Sequence, residues 1–145
     1  MVVAVVDGMG GSIGHQIVIQ LRGELEEGVE IIALGTNAIA TGNMMKARAN
    51  RGATGENAIR VSIKEAAIVI GSLSIVVPNS MMGELTPGMA RAIASSKARK
   101  VLIPLTNPKL DIVGISDSPL PKLIQDATSL VKQILEEGKA DALEG

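Results

Sequence analysis

The sequence predicts an α/β fold, a three-layer, doubly wound and mainly parallel sheet with helices on both faces. Three observations predict it. The apolar runs at residues 2–6 and 29–34 are of strand length and show little polar alternation, as strands covered on both faces do. Between them Ile13, Ile17, Leu21 and Leu25 recur every four residues, which marks one face of a helix. Joining the first run to that helix is Asp7-Gly-Met-Gly-Gly-Ser-Ile-Gly14, with glycine at 8, 10, 11 and 14. Strand, glycine turn and helix together open a phosphate-binding βαβ unit.

Composition sets bounds on this reading. A chain of 145 residues with 46% hydrophobic and 20% charged residues has the make-up of a folded globular domain. A net charge of −1 gives no electrostatic reason to bind nucleic acid or an anionic membrane. The first apolar run has no basic leader and is too short for a signal peptide or a membrane span, so a cytoplasmic protein is expected. The chain has no Cys and no Phe, Tyr or Trp. Its core must be built from Ile, Val, Leu, Met and Ala, no side-chain thiol can act, and no tyrosine can serve as an acid.

Taken in order, Ser12 is placed to cap a first helix over 12–27, with Gly28 just past its end. Gly23 inside it predicts a bend or a close approach. The second strand, 29–34, ends at Gly35-Thr36-Asn37, on the same sheet edge as Gly8. A weaker helix, interrupted at Gly42, is expected over 37–50, then a loop over 51–57 and a short strand over 58–61. Ser62-Ile-Lys-Glu65 reads as a capping box starting one helical turn, and 67–71 as a central strand. Residues 73–77 either continue it or form a separate buried segment. Thr86-Pro87 caps and starts a helix carrying Met89, Ala90, Ile93 and Ala94 on one face. A strand is expected over 100–105, with Pro104 arguing for an edge or a strand end, and a possible sixth over 111–115. Ser118-Pro119 starts the final helix, whose apolar stripe includes Leu123, Ile124, Ala127, Val131 and Leu135. Gly138 should end it, giving one domain over 1–138 and a frayed tail over 139–145.

The candidate site follows from the glycine turn. Gly8, Gly10 and Gly14, or Gly8, Gly11 and Gly14, let a phosphate approach the backbone. The amides that open the helix, at Gly11, Ser12, Ile13 and Gly14, are the donors that such a phosphate would meet. Asp7 is placed to accept hydrogen bonds from the turn or from a ligand hydroxyl. A tight turn without a ligand is the alternative. Dinucleotide-binding sites carry an acid at the end of the second strand for the ribose. Here Thr36 and Asn37 stand in that place and Glu30 lies at the wrong end, which counts against NAD in particular. Thr36 and Asn37 could still bind a sugar or phosphate, with Lys46, Arg48 or Arg51 adding charge, although a solvated helix face explains those cations as well. Ser72, Ser74, Asn79, Ser80, Thr106 and Asn107 fall where central strands should end, as ligand contacts or as caps and turn residues; for Ser80 capping is preferred. His15, the single histidine, reads as a surface residue. No spacing suits a metal and no nucleophile elbow is present. Met44, Met45, Met81, Met82 and Met89 suggest core filling and a homodimer contact.

Four segments, Asp7-Gly-Met-Gly-Gly-Ser-Ile-Gly14, residues 30–41, residues 49–58 and Asn79-Ser-Met-Met-Gly-Glu-Leu-Thr-Pro87, together resemble a family of small bacterial Rossmann-like proteins catalogued as a domain of unknown function. The resemblance implies the fold and no established activity. It also implies a cysteine near Thr106-Asn107-Pro108, which this chain lacks. The glycine pattern is remotely similar to that of short-chain dehydrogenases. Those use a Tyr-x-x-x-Lys pair, and without tyrosine their hydride transfer does not carry over. The expectation is a domain binding NAD(P) or another nucleotide at Gly8–Gly14, with Asp7, Thr36, Asn37, Ser72 and Asn79 around it. An enzyme of unknown substrate and a ligand-free or engineered scaffold remain the alternatives.

Overall fold

The structure, a computed structural model, describes residues 1–105, 109–115 and 117–144. Its five strands, β1 (Val2–Asp7), β2 (Glu30–Gly35), β3 (Arg51–Thr54), β4 (Ile68–Ser72) and β5 (Arg99–Ile103), pair in parallel in the order β3-β2-β1-β4-β5. Helices α1 (Ser12–Glu24), α2 (Ala38–Lys46), α3 (Glu56–Ser62), α4 (Pro87–Ser95) and α5 (Leu120–Glu144) flank it, with 3₁₀ turns at Ile63–Glu65 and Leu73–Val76. This is the doubly wound architecture that the sequence predicts.

Alternate residues of the strands serve two separate cores. Val3, Val5, Ile31, Ile68 and Ile70 pack against α1 and α5 through Ile17, Leu21, Val131 and Leu135, with Met44 of α2. Ala4, Val6, Ile32, Leu34 and Val69 pack against Ile59, Met89 and Ile93 of α3 and α4, with Leu85. The chain winds outward from β1 through β2 to β3, then crosses back to β4 on the other side of β1. Winding therefore reverses between β1 and β4, which leaves a crevice at their carboxyl ends.

Several local expectations are corrected. Residues 51–54 form an edge strand and 56–62 a helix, where a loop and then a strand were expected. Edge position explains the first error: β3 is held by parallel pairing of Arg51–Thr54 to Ile32–Gly35, and its side chains are mostly exposed, so no apolar run marks it. For the second, the apolar residues of 58–61 are continued by Ile63. Ile59 and Ile63, four apart, are both buried, which is helical spacing. Ser62 ends α3 and makes no side-chain cap. Residues 73–77 do not extend β4 but turn as a 3₁₀ segment.

Helix α1 starts on Gly11, at φ 75°, with no side-chain cap; Ser12 is its first residue, and the helix stops at Glu24 because Leu25 turns extended. Gly23 is exposed, with nothing within 4 Å of where a Cβ would stand, so it marks no close approach. Residues 111–115 form no strand. Helix α5 runs through Gly138 to Glu144. An internal glycine costs a helix only about 1 kcal/mol, and past it Lys139 pairs with Glu26 at 2.7 Å. Thr86 does cap α4, accepting from the Met89 amide at 3.1 Å, and β5 is an edge strand ending just before Pro104. No helix among the described residues is long and apolar enough to cross a membrane.

Candidate functional site

Asp7 ends β1, and its buried carboxylate spans the glycine turn: Oδ1 accepts from the Gly8 amide at 2.8 Å and Oδ2 from the Gly14 amide at 2.7 Å. Burial pushes its carboxyl above the ordinary range, opposed by those two amides and assisted by the negative charge of Glu84. The Gly11 amide closes the turn on the Gly8 carbonyl at 2.9 Å. Helix α2 holds the outer side. Asn37 caps that helix, accepting from Ala40 N at 2.9 Å, and donates from Nδ2 to the Met9 carbonyl at 2.9 Å. Asn43 donates to the Gly10 carbonyl. Because a peptide is planar and trans, a Met9 carbonyl held by Asn37 turns the Gly10 N–H the opposite way.

The glycines have different duties. A Cβ on Gly11 would stand 2.7 Å from Ala40 Cα, and one on Gly14 would stand 2.6 Å from Met44 Sδ and 2.9 Å from Asp7 Cβ. These two let α1 and α2 approach each other and the strand. A Cβ on Gly8 would meet Met81 Sδ and Thr36 Oγ1, each at 2.6 Å. Gly10 has open space around it.

Inside the turn is a cavity of about 250 Å³, lined by Asp7, Gly8, Met9, Gly10, Gly11, Ser12 and Ile13 on one side and by Ser72, Ser74, Met81 and Leu105 on the other. It lies at the reversal between β1 and β4. The amides of Gly10, Ser12 and Ile13 have no hydrogen-bond partner among the described residues, as the opening turn of a helix leaves them. Ser72 is 7% exposed; its hydroxyl makes no cap bond and has no partner among the described residues. Three amide donors and a hydroxyl thus border one small cavity, backed by the positive end of α1.

Thr36 and Asn37 line a neighbouring, more open concavity of about 750 Å³ together with Met9, Gly10, Ala38, Ile39 and Glu84. The two concavities share Met9 and Gly10. Glu84 carries the acid that the sequence lacks at the end of β2. Its Oε1 accepts from Asn37 Nδ2 at 2.7 Å, Thr36 Oγ1 at 2.8 Å and the Met9 amide at 3.0 Å. Those hydrogen bonds hold its carboxyl below the usual glutamate range, Thr36 first, then Asn37 and Met9. Glu84 arrives from the segment after β4, through Asn79, Met81, Met82 and Gly83, all at positive φ. No motif spacing reports a residue brought in this way.

Other expectations fare differently. Asn79 is exposed, lines neither concavity, and serves the turn through its amide, bonded to the Leu85 carbonyl at 2.8 Å. Ser80 is buried and ties Oγ to the Ser74 carbonyl at 2.6 Å rather than capping a helix. Thr106, Asn107 and Pro108 lie outside the described residues. His15 is half-buried, with Nδ1 2.7 Å from the Asn43 carbonyl. It therefore braces α1 on α2 instead of standing free at the surface. Arg51 pairs with Glu30 and Glu65 at the edge where the strands begin, so it adds no charge to the site. A groove of about 710 Å³ between α3 and α4 includes Arg60, Lys64 and Lys97. Lys97 closely precedes β5, which puts that groove toward the starting edge of the strands rather than the carboxyl edge where α/β folds hold ligands. Among the described residues no group of three or more His, Asp or Glu could hold a metal.

Five parallel strands in the order β3-β2-β1-β4-β5, with a glycine turn at the reversal, define a Rossmann-like α/β domain. The model of the family described as "Domain of unknown function (DUF3842)" matches residues 2–136, and the chain belongs to that family. No curated protein and no solved structure matches the chain.

Proposed function

We propose that the domain binds a nucleotide at the glycine turn, its phosphate in the cavity at the β1/β4 reversal. The observation that carries this reading is the set of donors there that have no partner among the described residues: the amides of Gly10, Ser12 and Ile13, and the hydroxyl of Ser72. A phosphate accepts several hydrogen bonds at once and gains from the helix dipole. Asp7 keeps the turn in shape by holding Gly8 and Gly14, and Gly10 leaves the approach open. NAD(P) or another nucleotide fits this description, as does a sensor or binding module; among the described residues no positioned acid–base pair accompanies the donors.

The test is a dye-reported thermal shift against NAD(H), NADP(H), ATP, GTP, S-adenosylmethionine and flavins, with Gly10→Ala beside the wild type. A ligand at 100 times its dissociation constant adds about 2.7 kcal/mol, several degrees for a domain this size. Gly10→Ala should keep the melting temperature of the free protein and lose the ligand shift. Equal shifts in both proteins, or none in the wild type with any of these nucleotides, would overturn the reading.

The reading extends to a homodimer in the cytoplasm. Nucleotides are cytoplasmic metabolites, and a cluster of exposed apolar residues, Leu110, Ile112, Val113 and Ile115, is of the kind that a second subunit covers.

A further inference from the structure

We propose that Glu84 is the residue that reads the sugar of the ligand, and that it selects a free ribose diol over a 2′-phosphorylated one. The inference rests on the nucleotide reading above and assigns the second concavity. Oε1 of Glu84 is saturated by three donors, whereas Oε2 takes no hydrogen bond, and the side chain no ion pair, among the described residues. The result is a carboxylate fixed in place and held in its ionised form by Thr36, Asn37 and Met9, with one oxygen left to accept. It borders a concavity that shares Met9 and Gly10 with the phosphate cavity. A sugar attached to that phosphate and carried past Met9 and Gly10 would come against it.

A fixed anion with a spare acceptor suits a group that donates. Vicinal hydroxyls donate and carry no charge. A second phosphate only accepts, and it would meet like charge. The apolar surface beside Glu84, from half-exposed Met9, Ala38 and largely exposed Ile39, is left for the base. The sequence offers no acid at the end of β2; the fold supplies one from the segment after β4, on the opposite side of β1.

The probes are adenosine 5′-monophosphate, its 2′-deoxy form and adenosine 2′,5′-bisphosphate, titrated by calorimetry into wild type, Glu84→Gln and Gly10→Ala. Glutamine keeps Oε1 as an acceptor for Thr36, Asn37 and Met9, so the variant retains the bonds that hold the site and replaces only the spare oxygen with a donor. Circular dichroism checks its fold. In the wild type the monophosphate should bind about tenfold more tightly than either the deoxy form or the bisphosphate, the difference made by one hydrogen bond to a charged group. In Glu84→Gln the preference over the bisphosphate should vanish or reverse, and Gly10→Ala should weaken all three alike. Binding that depends on Gly10 but shows unchanged ratios in Glu84→Gln would overturn the role of Glu84 and leave the phosphate reading standing. Equal wild-type affinity for the three would do the same. No binding of any of them to the wild type would overturn both.

Discussion

Asp7 is buried, yet each of its oxygens already holds an amide of the glycine turn. Its first duty is thus to the backbone, and its titration is a property of the fold. Burial raises its carboxyl above the ordinary value of 3.8. The native state then holds this proton to higher pH than the unfolded chain does. Its contribution is fully present below pH 3.8 and is lost as pH rises through the native value. The expected outcome is that the stability of wild type relative to Asp7→Asn falls with rising pH in a window that opens near 3.8, measured by urea unfolding at each pH. A relative stability that rises with pH in that window would contradict it. The neighbouring Gly11→Ala is no substitute for Gly10→Ala as a ligand probe, because at φ 75° and against the α2 backbone it strains the fold itself.

Elements with long apolar periods were legible in the sequence and short edge elements were not. Strands β1, β2 and β4 are visible as short apolar runs buried on both faces, and helices α1, α4 and α5 because each buries a periodic face. Strand β3 is visible only once β2 is in place, since parallel pairing rather than its own side chains specifies it. The glycine turn was legible for the same reason, being local in sequence. Glu84 was not, because its partners Met9, Thr36 and Asn37 stand 75, 48 and 47 residues away. Within α1, a Cβ on Gly23 would meet nothing within 4 Å. Gly23→Ala should stabilise the protein by about 1 kcal/mol, read as a higher urea midpoint with an unchanged slope. An unchanged or lower midpoint would mean that the glycine has a duty the fold does not display.

At the scale of the whole molecule, the two cores on either side of the sheet leave some large apolar side chains outside. Val113 is 98% exposed, and Leu110, Ile112 and Ile115 are more than a third exposed. All four precede α5, on the segment that follows β5. If this cluster is covered by a second copy, light scattering at micromolar concentration should give twice the chain mass, and Val113→Lys should return it to one. A wild-type monomer across that range would sink the dimer. The methionines divide: Met44 and Met89 are core residues, whereas Met82 is bare and Met45 is 38% exposed.

A core assembled without Phe, Tyr or Trp has a magnetic consequence. His15 carries the only aromatic ring in the protein, and it lies on the α1–α2 contact. Methyl resonances elsewhere should therefore sit close to their random-coil positions, undisturbed by ring currents. A purine seated against Ile39 and Met9 would introduce the first such current in their surroundings. The upfield displacement of those methyls, in a spectrum otherwise nearly free of the effect, would locate the base directly from chemical shifts.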